Sequence, residues 1–181
     1  MMQHSIPMQR RTLLKYGFGG LVIVGLGGAG AALWRSGVSD GRLTTPGREI
    51  FTALALAILD GCLPASAIER AAGLRMHLER VDAAIDAFPR HMQAELSQLL
   101  AVLYTSAGRY GLARLGAAWR DAGVAEVQRS LERMRMSRSE LRQQAYHALR
   151  DLTNAAYFAD AASWACLGYP GPKAIGWPTP S

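Results

Sequence analysis

Apolar residues recur every third or fourth position over most of the chain, and no run alternates apolar and polar residues as a half-buried strand would. The stretch REIFTALALAILDGCLP (48–64) is apolar almost all round, which predicts a central helix. Thr45 reads as its cap, Pro46 as the first helical position and Pro64 as its stop. Between Ala67 and Pro89 the spacing of Leu74, Leu78, Val81, Ile85 and Phe88 predicts a second helix, with Gly73 a candidate break. A third starts at Pro89 and puts Met92, Leu96, Leu99, Leu100 and Leu103 on one face. Val124, Val127, Leu131 and Met134 mark a fourth. The fifth opens on Ser137 with Glu140 three residues on, a capping-box pattern, and carries the stripe Leu141, Ala145, Leu149, Leu152 and Ala156. Five or more helices with short connections predict an all-α fold, a small helical bundle over residues 45–165. Residues 35–44 read as a linker, and 166–181 as an extended tail rich in proline and aromatic residues.

Ahead of the bundle lies VIVGLGGAGAALW (22–34), whose Gly25, Gly27 and Gly30 fit the G-x-G-x-x-G spacing of a dinucleotide-binding turn. That site also needs flanking β-α units and an acid at the end of a second strand. Glu49 has the right offset but falls in the first turn of the predicted central helix, and no later strand–helix alternation follows. The neighbours favour a different reading. Arg10 and Arg11, followed by Leu13, Leu14 and Lys15, match the R-R-x-aliphatic-aliphatic core of a twin-arginine (Tat) export signal. Residues 16–34 are uncharged, and seven glycines keep them only moderately apolar. Ala29 and Ala31 form a loose A-x-A cleavage site, while the span is also just long enough to stay in the membrane as an anchor. Residues 1–34 are therefore read as a twin-arginine signal or membrane helix, and the destination as the periplasm, with anchoring to the inner membrane as the alternative to cleavage.

The chain of 181 residues is 50% hydrophobic and 19% charged, enough for a packed core and unlike a disordered chain. Its formal charge of +6 would suggest nucleic acid, but three of the bases lie in the leader. The remainder holds 17 bases against 14 acids, and no nucleic-acid-binding signature accompanies them, so no such partner is expected. Arg129, Arg133, Arg135, Arg138 and Arg142 read either as a charged outer face or as a basic edge toward an acidic partner or anionic lipid.

No pattern points to catalysis or to a metal. His4, His77, His91 and His147 show no metal-ligand spacing, and His77 and His147 read as surface or rim residues. Asp82 and Asp86 share a helix face near Arg75, Arg80 and Arg90, which reads as solvated. No nucleophile elbow or phosphate-binding loop occurs. Cys62 and Cys166 are either small buried residues or, in an oxidising compartment, a disulfide. In the last residues Tyr169-Pro170-Gly171-Pro172 cannot continue a helix. Trp164 and Tyr169 either seal the bundle's own end or, with Tyr157, Phe158, Pro170, Gly171 and Trp177, dock a partner; the two roles are compatible.

The leader, the opening LTTPGREI…ILDGCLP and the ending Tyr157-Phe158, Asp160, Trp164, Gly168-Tyr169-Pro170-Gly171 together resemble the gluconate 2-dehydrogenase subunit 3 family and its Tat-signal relatives. Where the family usually carries a glycine-rich turn, this chain has ADAAS (159–163), the mark of a divergent relative. The resemblance implies a non-catalytic small subunit without a cofactor of its own. Its partner would be a large FAD-dependent dehydrogenase of the GMC type, with a cytochrome c subunit as a further member. The small subunit would bind the folded, FAD-loaded partner and lend it the twin-arginine signal for passage through the Tat translocase. The residue readings leave two alternatives beside this one, a stand-alone exported helical enzyme and a membrane-anchored binding module.

Overall fold

The computed structural model describes residues 36–171 and is mostly helical there. Five long helices form the bundle: α1 (Thr45–Ile58), α2 (Ala67–Asp86), α3 (Arg90–Tyr104), α4 (Val124–Arg135) and α5 (Glu140–Phe158). Between α3 and α4 the chain makes a helical turn at Ser106–Gly108 and a π-helical turn at Arg109–Ala113, and a 3₁₀ turn at Ala161–Leu167 follows α5. The residues read as leader and cleavage site, Arg10, Arg11, Leu13, Leu14, Lys15, Ala29 and Ala31, lie outside the described residues, as do Trp177 and the span 16–34. No helix among the described residues is long and apolar enough to cross a membrane.

Helix α1 is central, as its all-round apolarity predicts: it packs on α2, α3, α4 and α5. Ile50, Phe51 and Leu54 are fully buried on it. The stripes of the other helices face inward through Leu78, Val81 and Ile85, Leu96 to Leu103, Val127 to Met134, and Ala145 to Ala156. The ends of the stripes do not. Val124 and Leu141 are exposed, because each opens its helix beyond the edge of the core.

Helix boundaries depart from the sequence reading by a turn or less in several places. Thr44, not Thr45, caps α1, and α1 ends at Ile58, where Gly61 takes up a left-handed conformation before Pro64 is reached. Gly73 does not break α2. Helix α5 starts at Glu140 with Ser139 as its cap residue, so the capping box expected from Ser137 does not form. The Ser137 hydroxyl instead accepts from the Ser139 N–H at 3.1 Å.

The larger difference concerns residues 36–44, the described part of the stretch read as a linker, which are folded. Val38–Ser39 (β1) and Arg42–Leu43 (β2) form an antiparallel hairpin with Val38 opposite Leu43. Its two-residue turn, Asp40-Gly41, has φ of 51° and 74°, the double positive φ of a primed turn that favours an Asp-Gly pair. The strands are too short to show alternation, so the hairpin's signal is the turn alone. Val38 and Leu43 are buried against the bundle. A Cβ on Gly47 would stand 2.4 Å from the Gly37 carbonyl oxygen, so the hairpin meets α1 where only glycine fits.

Asp82, read from sequence as solvated, anchors this hairpin. It is buried on α2, accepts the Leu43 N–H at 2.8 Å and pairs with the Arg48 guanidinium. A short acid was invisible as an anchor because its partners lie 39 and 34 residues away. Asp82→Ala strands a buried N–H and removes a charged partner from Arg48. It is expected to cost about 2 kcal/mol, and to lower the melting temperature by roughly 5–10 °C in a thermal scan. A melting curve unchanged by the substitution would remove Asp82 from the anchoring role.

A disulfide-pinned aromatic end as the candidate functional site

The C-terminal end of α5, together with the turn and short irregular segment beyond it, forms the candidate site. Tyr157 and Phe158 finish α5, with ring centroids 5.2 Å apart at near-perpendicular planes. Asp160 then caps the 3₁₀ turn: its carboxylate accepts the Ala162 N–H at 3.0 Å and pairs with Arg80 of α2 at 2.5 Å. Short polar residues in this position favour a turn over continuation of the helix. Ser163 adds bonds from its hydroxyl to the carbonyls of Asp160 and Tyr157. Gly168, with φ of 67°, terminates the turn.

Helical structure therefore runs on to Leu167, past the expected start of the extended tail at residue 166, because Asp160 and Ser163 satisfy the turn's backbone groups. Residues 169–171 are irregular, and 172–181 lie outside the described residues.

Trp164 folds back on the bundle's end. Its indole N–H donates to the Phe158 carbonyl at 2.8 Å, and its ring lies 5.5 Å from Tyr169. A Cβ on Gly171 would meet the Trp164 ring at 3.7 Å, so Pro170-Gly171 passes close over that ring. Tyr169 itself stays half-exposed, as does Leu167. The described tail thus seals the end of α5 with Trp164 and still presents Tyr169, Leu167 and Pro170 outward.

Cys62 and Cys166 are joined in a disulfide, with Cα atoms 5.2 Å apart. The bond ties the loop after α1 to the turn after α5. Beside it the Tyr157 hydroxyl donates to the Cys62 carbonyl at 2.7 Å. Burial holds the Tyr157 hydroxyl above its ordinary pKa, so it remains a donor.

Under this end lies a residue the sequence reading misplaced. His77, expected at the surface or rim, is fully buried, and neither ring nitrogen has a hydrogen-bond partner. Its ring stands edge-on to Tyr157 at 6.1 Å. Burial, and then the charge of Arg80 one turn along α2, lower its pKa to about 4. It is a neutral imidazole at neutral pH. Its position on the buried face, one residue before Leu78 and four before Val81, was the available signal. His147, by contrast, is exposed on α5.

A concavity of about 330 Å³ lies between the start of α1 and the Trp119–Val124 segment. Arg48, Glu49, Ala53, Leu56, Trp119 and Arg120 are among the residues that line it. Trp119 was missed from sequence because it sits between helices. It is nonetheless buried, with its indole N–H on the Leu103 carbonyl at 2.8 Å. Among the described residues no group of three or more His, Cys, Asp or Glu side chains is placed to hold a metal ion. Compared with protein-family models, curated proteins and solved structures, the chain finds no match.

Proposed function

We propose that this chain is a non-catalytic small subunit that binds a folded FAD-dependent dehydrogenase of the GMC type, and that its twin-arginine leader supports the maturation and Tat export of that partner to the periplasm. The observation that carries the reading is the Cys62–Cys166 bond behind an arginine-pair leader. Disulfides persist in oxidising compartments, and a twin-arginine signal leads there. FAD is inserted before export, so the cargo must cross folded, and a signal-bearing companion meets that need. Tyr157, Phe158, Trp164, Tyr169, Pro170, Gly171 and Trp177 are assigned to partner docking. Tyr169 supports this through a half-exposed ring on a pinned turn, the kind of preorganised aromatic contact that binding surfaces favour. A cytochrome c subunit completes the proposed assembly.

Two measurements test the reading. Tagged protein from its native host should co-purify with a larger yellow chain whose absorption spectrum is that of a flavin. Replacing Arg10 and Arg11 by lysine should retain both chains in the cytoplasm. A partner exported normally from that variant would sink the shared-signal mechanism, and isolated protein with an activity or chromophore of its own would favour a stand-alone exported enzyme.

A further inference from the structure

At the opposite end of α5 the fold gathers a second surface. The π-helical turn Arg109–Ala113 lies against the start of α5 and the end of α4. The Arg142 guanidinium donates to the Gly111 carbonyl at 2.8 Å, and Arg133 reaches the Arg114 carbonyl at 3.4 Å. Arg109 spans the turn's base, touching the carbonyls of Tyr104 and Gly116 at 3.5 and 3.4 Å. Arg114, left-handed at the turn's end, lies 5.9 Å from the Tyr110 ring centroid. Arg138 is exposed in the adjoining α4–α5 connection. Among the described residues none of Arg109, Arg114, Arg133, Arg138 or Arg142 pairs with a carboxylate, although other arginines of the bundle do. The acids nearby are Glu132, already held by Arg135, Glu140, and Glu126, whose carboxylate accepts the Ala117 N–H at 3.5 Å.

Apolar side chains project from this basic patch. Tyr110 is 62% exposed, Met136 67% and Leu141 42%. They stand singly, one on the turn and two flanking the α4–α5 connection. We infer that this face seats on an anionic phospholipid surface, with the arginines on headgroup phosphates and Tyr110, Met136 and Leu141 at the acyl boundary. Charge complementarity selects an anionic partner. The choice of lipid rests on two further points. The cations of the patch are arginines, as are all Lys/Arg cations among the described residues, and their planar forks can meet a phosphate in two bonds. Carboxylates of an acidic protein face would be desolvated against the three apolar tips, whereas the headgroup–acyl boundary offers phosphate and hydrocarbon together. This inference does not depend on the proposed dehydrogenase partner.

The test compares full-length wild type with Arg114→Glu/Arg133→Glu/Arg138→Glu in vesicle co-sedimentation. Mixed phosphatidylcholine–phosphatidylglycerol vesicles are set against phosphatidylcholine alone. The leader and residues 16–34 are common to both proteins, so their contribution cancels. These side chains are surface groups, and matching far-ultraviolet circular dichroism of the two proteins establishes equal folding. Since each basic residue near an anionic surface strengthens binding several-fold, losing three of them should weaken binding to the mixed vesicles by at least about a hundredfold, and the added negative charges weaken it further. Binding to phosphatidylcholine alone should be the same for both. A second variant, Tyr110→Asp/Met136→Asp, should weaken binding to the mixed vesicles several-fold. Equal binding of wild type and the arginine variant overturns the inference. Loss of an acidic protein partner in that variant, with vesicle binding intact, assigns the face to protein and overturns it too. Displacement of wild type from vesicles by inorganic phosphate, beyond the effect of chloride at matched ionic strength, would make the face a phosphate site instead of a bilayer contact.

Discussion

Reducing the Cys62–Cys166 bond is expected to lower the domain's stability by about 4 kcal/mol. The cysteines are 104 residues apart, so the bond closes a loop that contains four of the five long helices. A cross-link over so long a loop removes much of the entropy of the unfolded chain, and the chain-entropy argument gives about 4.7 kcal/mol for a loop of this order. Native stabilities run to about 5–15 kcal/mol, so the loss is a large fraction of the whole. Cys62→Ser/Cys166→Ser should match the effect of reductant on wild type, and reductant should add nothing to the variant. Urea unfolding followed by circular dichroism reads both. Wild-type stability indifferent to reductant would show that the bond does not form, and would remove the chief structural support for an oxidising destination. The local consequence is smaller than the global one. Locally, reduction cuts the tie between the 3₁₀ turn and the loop after α1 and leaves the turn held by its Arg80–Asp160 pair and the Trp164–Phe158 bond, so the aromatic end should loosen before the bundle opens.

Lowering the pH from about 7.5 to about 4.5 should cost about 2.5 kcal/mol through His77 alone. Its pKa is about 4 in the folded protein against 6.5 in the unfolded chain. Between those values the unfolded state binds the proton and the folded state resists it, so stability falls as pH drops through this window. Above pH 6.5 the imidazole is neutral in both states and the term vanishes; below about pH 4 the loss has levelled off. Burial is the main cause, since no acceptor stands beside either nitrogen to hold a charged ring, and Arg80 adds repulsion. His77→Phe should flatten the corresponding part of the pH profile and cost little at neutral pH, because the histidine's nitrogens make no bond that the substitution removes. Every other ionisable group is common to both proteins, so the difference between the two profiles isolates His77. Identical profiles would place His77 in contact with water or with a partner that the burial argument excludes.

These two effects fall at the same end of the bundle. His77, Tyr157, Cys62, Cys166, Arg80 and Asp160 couple the loop after α1, the middle of α2 and the 3₁₀ turn after α5. Acid and reductant should therefore act on the aromatic end first, and on the arginine face at the start of α5 last.

The sequence by itself determined the all-α architecture, the central place of α1 and most of the inward stripes. Each rests on a periodicity of three to four residues, which is local and survives any arrangement of neighbours. The expectation of a twin-arginine leader rests likewise on sequence alone, on the order of Arg10, Arg11 and the uncharged span. Hydrogen-bond partners far apart in the chain were beyond its reach. Asp82 reads as a surface acid until the hairpin's Leu43 N–H is brought to it, and His77 as a rim residue until Tyr157 covers it. The Asp40-Gly41 turn was legible locally and was obscured by the brevity of its strands. The cysteine pairing and the convergence of Arg109, Arg114, Arg133 and Arg142 on one turn were decided only by tertiary structure. Packing of the apolar stripes fixes where each helix ends, and helix ends set which polar side chains meet.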